Sequence, residues 1–159
     1  MIPALTQRGW LPPGVHWATW EEFVARYGGT PLRDGMLAGL RAAMDELAQA
    51  GCQAIYINGS FVTAKLEPND YDACWSIRGV TFSDVDPVLH DFSERRKRMK
   101  EKYRGELFYA ESAADFEGRS FLDYFQRDKR SGQRKGIIAI RLEYEAESVA
   151  TLEKRDDKK

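Results

Sequence analysis

A change in apolar spacing between residues 33 and 57 constrains the fold more than any other feature of this chain. Over residues 33 to 50, Leu37, Leu40, Met44 and Leu47 recur at three- and four-residue intervals. That spacing lays one apolar stripe along a helix. Gly51 follows, a residue suited to ending the helix in a left-handed conformation. Ala54-Ile55-Tyr56-Ile57 is then a short, nearly continuous apolar run, the pattern of a buried strand. A helix that hands its chain directly to such a strand belongs to a layered domain, and 159 residues are enough for one domain with a real core.

The remaining elements fit that plan. Thr19-Trp20-Glu21-Glu22 reads as a capping box that opens a short helix to about Tyr27, and Gly28-Gly29-Thr30-Pro31 breaks it. Further strands are predicted over residues 71 to 77, 106 to 110 and 136 to 144. A long helix is predicted from the Asp86 cap to about Tyr103, and a short one over residues 120 to 126. Residues 1 to 18 carry Pro3, Pro12, Pro13 and Gly14 among Trp10, Leu11 and Trp17, which reads as an irregular arm docked by its aromatics. Residues 145 to 159 read as a charged tail. The expectation is a single domain over residues 1 to 159. Its class is α/β or α+β, a mixed sheet of about four to five strands backed by helices.

Bulk properties narrow the functional classes. An apolar fraction of 43% fits a globular chain. The formal charge of −1, from 24 basic and 25 acidic residues, excludes a polycation, so any nucleic-acid contact must come from local patches. No apolar run approaches the roughly 18 residues of a membrane span, and the first 20 residues lack the order of a signal peptide. Cys52 and Cys74 are too far apart for a CxxC motif and read as buried free thiols in a reducing cytoplasm.

Chemistry concentrates after the first strand. Gly59-Ser60-Phe61-Val62-Thr63-Ala64-Lys65 leaves that strand, and Pro68-Asn69-Asp70-Tyr71-Asp72 enters the next. Alternation along a strand turns Asp70 and Asp72 to one side, about 6.5 Å apart at Cα for a rise of ~3.3 Å per residue. Two such carboxylates suit Mg²⁺, which takes a few carboxylates, waters and substrate phosphates. Ala73 and Cys74 stand where a calcium loop needs ligands and a glycine. Gly59 lets backbone approach a ligand, and residues after Ser60, if they begin a helix, offer free N–H groups to an anion. The Ser60 and Thr63 hydroxyls and the Lys65 ammonium complete a phosphate site. The parts together suit nucleotidyl transfer.

Gly-Ser at a strand end, with Asp70 ten positions after Ser60 and Asp72 beyond it, resembles the polymerase-β-type nucleotidyltransferase superfamily. The likeness is to its small stand-alone bacterial members. Gly9-Trp10-Leu11-Pro12-Pro13-Gly14, Trp20-Glu21-Glu22-Phe23, Asp70-Tyr71-Asp72-Ala73-Cys74-Trp75 and Lys135-Gly136-Ile137-Ile138 extend it over most of residues 8 to 142. The resemblance implies an NTP substrate, Mg²⁺ held by Asp70 and Asp72, and transfer to an RNA such as tRNA or to a protein. It also implies a setting in toxin–antitoxin or phage-defence loci. The family pattern adds a third carboxylate on a later strand. Glu106 is the candidate and Glu111 the alternative, although Gly105 departs from the apolar-acid-apolar setting of that position. A catalytically inactive antitoxin, or a nucleic-acid- or partner-binding protein of the same fold, is the rival reading.

Two basic runs stand apart from the motif. Arg95, Arg96 and Arg98 lie in the first, and Lys129 and Arg130 in the second, which surrounds Ser131-Gly132. Each reads as a solvated surface or as a phosphate contact. His16 and His90 are single histidines with packing or surface roles. No Ser-His-Asp or zinc-ligand spacing is present.

Overall fold

The computed structural model describes residues 1–65 and 67–143, with Ser60 described by its backbone alone. Five strands form one mixed sheet: β1 (Gly14–Ala18), β2 (Ala54–Asn58), β3 (Tyr71–Trp75), β4 (Gly105–Tyr109) and β5 (Gly136–Arg141). Their order across the sheet is β1-β5-β2-β3-β4. β2 runs antiparallel to both of its neighbours, whereas β1 is parallel to β5 and β3 is parallel to β4. The mixed α/β architecture therefore matches the reading from sequence.

Helix α1 (Trp20–Tyr27) carries the predicted capping box in full. Glu22 N–H donates to Thr19 Oγ1, and the Glu22 carboxylate accepts from Thr19 N–H. Helix α2 (Pro31–Gln49) starts earlier than its apolar stripe implied. Thr30 caps it, and Pro31 sits in the first turn, where its missing N–H costs nothing. Leu37, Leu40, Met44 and Leu47 are all buried by α2 against one face of the sheet, together with Ile55, Ile57, Ala73, Trp75 and Leu107. Cys52 and Cys74 are buried free thiols.

Three expectations are corrected. Residues 14 to 18 are not part of an irregular arm but form β1, because Gly136 N–H bonds to Leu11 O and brings the segment alongside β5. The helix expected from Asp86 to Tyr103 is broken. Pro87–His90 is one 3₁₀ turn, and helix α3 begins only at Ser93 (Ser93–Tyr103). Asp91 interrupts the two by accepting from Ser93 N–H and Oγ, which diverts the backbone. Finally, β5 ends at Arg141, and residue 144 of the range predicted for it lies outside the described residues.

Helix α4 is a single turn (Phe121–Tyr124), capped by Ser120 Oγ at Asp123 N–H. With Phe125 it covers the second face of the sheet, where Phe121 stacks on Phe108 and Phe125 meets Phe108 edge to face. Asn58, Asp72 and Glu106 share this second face, since Asn58 pairs with Asp72 and Asp72 with Glu106. Among the described residues no helix is long and apolar enough to cross a membrane.

Candidate acidic site at the ends of β3 and β4

The acids meet because two parallel strands start in register. Asp72 on β3 and Glu106 on β4 are Cα partners, and Asp70 lies one residue ahead of β3. Two contacts hold this register. Tyr71 Oη donates to Tyr103 O at 2.7 Å, tying the start of β3 to the end of α3. Gly105 lies against the Tyr71 ring so closely that a Cβ there would stand 2.4 Å from it. The glycine before Glu106 is thus what allows it to stand beside Asp72.

The electrostatics of the three carboxyls differ sharply. Burial, a hydrogen bond to Glu106 and the charges of Asp70 and Glu106 push Asp72 up to about 7. Burial also raises Glu106, but hydrogen bonds from Asp72, Lys100 and Arg96 outweigh it and hold that carboxyl below its ordinary value. Asp70 is raised by burial and by Glu106, against the pull of Lys100, Arg96 and Lys65. Asp72 and Glu106 therefore behave as a pair sharing one proton, with the proton on Asp72. Glu106 Oε1 accepts from Arg96 at 2.9 Å and Lys100 at 3.1 Å, and its side chain is only 16% exposed. Lys135 adds a half-buried cation. Burial lowers its pKa, and the charges of Asp128 and Asp72 partly offset that.

Gly59 presses its backbone on Asp72. A Cβ at this position would lie 2.8 Å from Asp72 Oδ2, and its φ of +78° is one that other residues adopt only under strain. After it, Ser60–Val62 makes a single 3₁₀ turn and begins no longer helix. A turn of that length has no helix N-terminus to offer an anion, so this support for a phosphate site is withdrawn. Thr63 Oγ1 accepts from Lys65 N–H at 3.3 Å, and Lys65 reaches the site through its effect on Asp70.

Arg33 holds the loop from behind. It is buried in the first turn of α2 and donates to Tyr27 O at 3.2 Å, Phe61 O at 2.9 Å and Lys65 O at 2.5 Å. Its guanidinium also lies 4.8 Å from the centre of the Phe61 ring. No sequence signal marked it, because a cation in a first helical turn looks like a surface residue. Lys100 was visible only as a member of a basic run, and Lys135 only there and in the Lys135-Gly136-Ile137-Ile138 match.

The structure brings together Asp70, Asp72, Glu106, Gly59, Arg96 and Lys129, the last through its charge on Asp72. Glu111 lies elsewhere, at the far end of β3, where it accepts from Ser76 Oγ at 2.6 Å and from Ile77 N–H. Arg95 and Arg130 are exposed, and Arg98 pairs with Asp91 at 3.1 Å.

Among the described residues no three His, Cys, Asp or Glu side chains are grouped so as to hold a metal ion between them. The paired carboxyls meet a smaller demand. Mg²⁺ takes one or two carboxylates and fills its octahedron with water and substrate phosphates. A cation at this pair would relieve the same repulsion that a proton relieves. The donor set, all oxygen, fits a hard divalent cation that displaces that proton.

No curated protein and no solved structure matches the chain. One family does, over residues 3–141, a span that contains the whole sheet and every acid of the site. On that match the chain belongs to the family of unknown function DUF6932.

Proposed function

We propose that this protein is an Mg²⁺-dependent nucleotidyltransferase that moves a nucleoside monophosphate from an NTP to a hydroxyl of RNA or protein. The observation that carries this reading is the Asp72–Glu106 pair, set in register on adjacent strands with Asp70 beside it and Gly59 against it. In the reaction, the acceptor oxygen forms a bond to the α-phosphorus, the bond from that phosphorus to the β-bridging oxygen breaks, and pyrophosphate leaves. Asp70 and Asp72, with Glu106 beside them, would present the one or two carboxylates that Mg²⁺ needs, and the ion would supply charge neutralisation for the triphosphate. With its own proton displaced by the cation, Asp72 is the more basic of the pair and would take the proton of the attacking hydroxyl. Glu106 is kept ionised and weakly basic by Arg96 and Lys100. Lys65, Lys129 and Lys135 would offset the charge of the phosphates, and the Gly59–Ser60 backbone and the Thr63 hydroxyl would give them partners. Bacterial toxin–antitoxin or phage-defence systems, and a cytoplasmic location, fit an enzyme of this kind.

The test is direct. Protein incubated with Mg²⁺, each radiolabelled NTP, and RNA or protein extract is expected to transfer label, and an Asp70→Ala/Asp72→Ala variant is expected not to. Equal labelling by both would refute the assignment. A second reading, a non-catalytic antitoxin or binding partner of the same fold, draws on one observation: Glu106 is already neutralised by Arg96 and Lys100. Biological activity preserved in the double variant would favour it.

A further inference from the structure

Half of the chain's 24 basic residues fall in two short segments, seven in residues 95–104 and five in residues 127–135, although the formal net charge is −1. These segments lie far apart in sequence, yet the fold brings both to the same carboxyls. Arg96 and Lys100 of α3 bond to Glu106 on one side, and Lys129 and Lys135 bear on Asp72 from the loop after α4. The acids need only part of this charge. Arg95, Lys97, Arg130 and Arg134 are exposed and form no ion pair among the described residues.

The backbone at the start of α3 spreads these cations. Glu94, Arg95 and Arg96 all take left-handed angles, with φ of 49°, 53° and 62°. Three such non-glycine residues in succession are costly, at about 1–2 kcal/mol each. Arg96 is thereby turned in onto Glu106, while Arg95 is left exposed. Backbone strain of this sort persists where the surroundings enforce it, and it points to a role for what it positions.

We propose that the acceptor is a single-stranded RNA, whose phosphate backbone crosses the acids between α3 and the 127–135 loop. The proposal takes from the reading above only that transfer occurs at these acids. Two separated groups of unpaired cations, one on each side of the acids, complement a phosphate backbone that passes between them. The acids are partly buried, so a flexible strand brings a ribose hydroxyl to them where a stiff duplex does not. Binding of this kind rests on the release of counterions and weakens steeply with salt.

Fluorescence anisotropy with an unstructured 5′-labelled RNA of about 20 nucleotides, long enough for the site sizes usual in strand-binding grooves, tests it. The wild-type protein is expected to bind with a strong salt dependence. An Arg95→Ala/Lys97→Ala/Arg130→Ala/Arg134→Ala variant is expected to lose at least about tenfold in affinity, and its log–log salt slope to fall by about 3, from roughly 0.7 per contact. Circular dichroism confirms that the variant is folded. Absent RNA binding, or binding that the four substitutions leave unchanged, overturns the proposal. So does full transfer of label to a protein by that variant, an outcome that leaves the nucleotidyl-transfer reading intact. RNA binding as expected, with no transfer of label by the wild type, supports the surface while removing the reaction.

Discussion

A single backbone position sets the character of the acidic site. Gly59 is both left-handed and pressed on Asp72, so Gly59→Ala meets strain and a collision together. The variant is expected to lose about 1–2 kcal/mol in urea unfolding, and to lose transfer because Asp72 is displaced. Asp72 itself stabilises the fold only when protonated. Its folded pKa is near 7, against about 4 unfolded, so its contribution is complete below about pH 4 and declines as the pH rises toward 7. Glu106 runs the opposite way: its carboxyl is held low, so its contribution is lost as the pH falls. Asp72→Asn cannot ionise. At pH 8 it is expected to unfold at a higher urea concentration than the wild type, at pH 4 to differ little, and to lose at least about 100-fold in transfer. Coincident midpoints at pH 8 would show that Asp72 is not raised. The motif Gly59-Ser60 with Asp70 and Asp72 was legible in the sequence because its spacing is local. The unequal protonation of the acids was not, since it follows from burial and from Arg96 and Lys100.

At the scale of elements, the loop after β2 keeps its shape through a side chain of α2. Arg33 spans three carbonyls, of Tyr27, Phe61 and Lys65, and ties the loop to the start of α2. Arg33→Met is expected to cost about 2–3 kcal/mol and to speed amide exchange across residues 61 to 65. Arg33→Lys is expected to recover less than half of this, because one ammonium does not span the three acceptors. Exchange in that loop equal to the wild type would contradict this role. Helix packing carries a second constraint. A Cβ on Gly39 would stand 2.2 Å from Tyr103 O, so α2 and α3 touch through backbone there. Gly39→Ala is expected to destabilise by roughly 1–3 kcal/mol, by the usual cost of overpacking. It should also loosen Tyr103, whose carbonyl fixes Tyr71 and hence the strand that carries Asp72. Helices α1 and α2 were readable from caps and apolar spacing. The break before α3 was not, because it depends on the Asp91 side chain capturing Ser93.

At the scale of the whole molecule, the first 18 residues close one edge of the sheet. β1 covers β5, Leu11 is buried, and the Trp17 ring meets Tyr56 across the sheet at 6.1 Å. A chain lacking residues 1 to 18 exposes the edge of a strand whose first five residues are buried. It is expected to elute as aggregate in size-exclusion chromatography; a folded, monodisperse product would show that β1 is dispensable. β1 escaped the sequence reading because Pro12, Pro13 and Gly14 dominate its surroundings, and a five-residue edge strand has too little pattern of its own to outweigh them.

Local patterns determined that this chain would build helices on a mixed sheet, and that two aspartates would stand near a Gly-Ser turn. Helix periodicity, caps and strand alternation act over a few residues, so they survive in sequence alone. Only the tertiary structure decided which acid joins those aspartates and which cations surround them. Glu106 and Glu111 differ by five positions on one stretch of chain, yet parallel pairing from Tyr71 and Gly105 onward sends the first to Asp72 and the second to Ser76. The same pairing carries Arg96 and Lys100 to the site, while the turn after α4 carries Lys129 and Lys135. Register and burial are properties of contacts between distant segments, and no spacing within either segment encodes them.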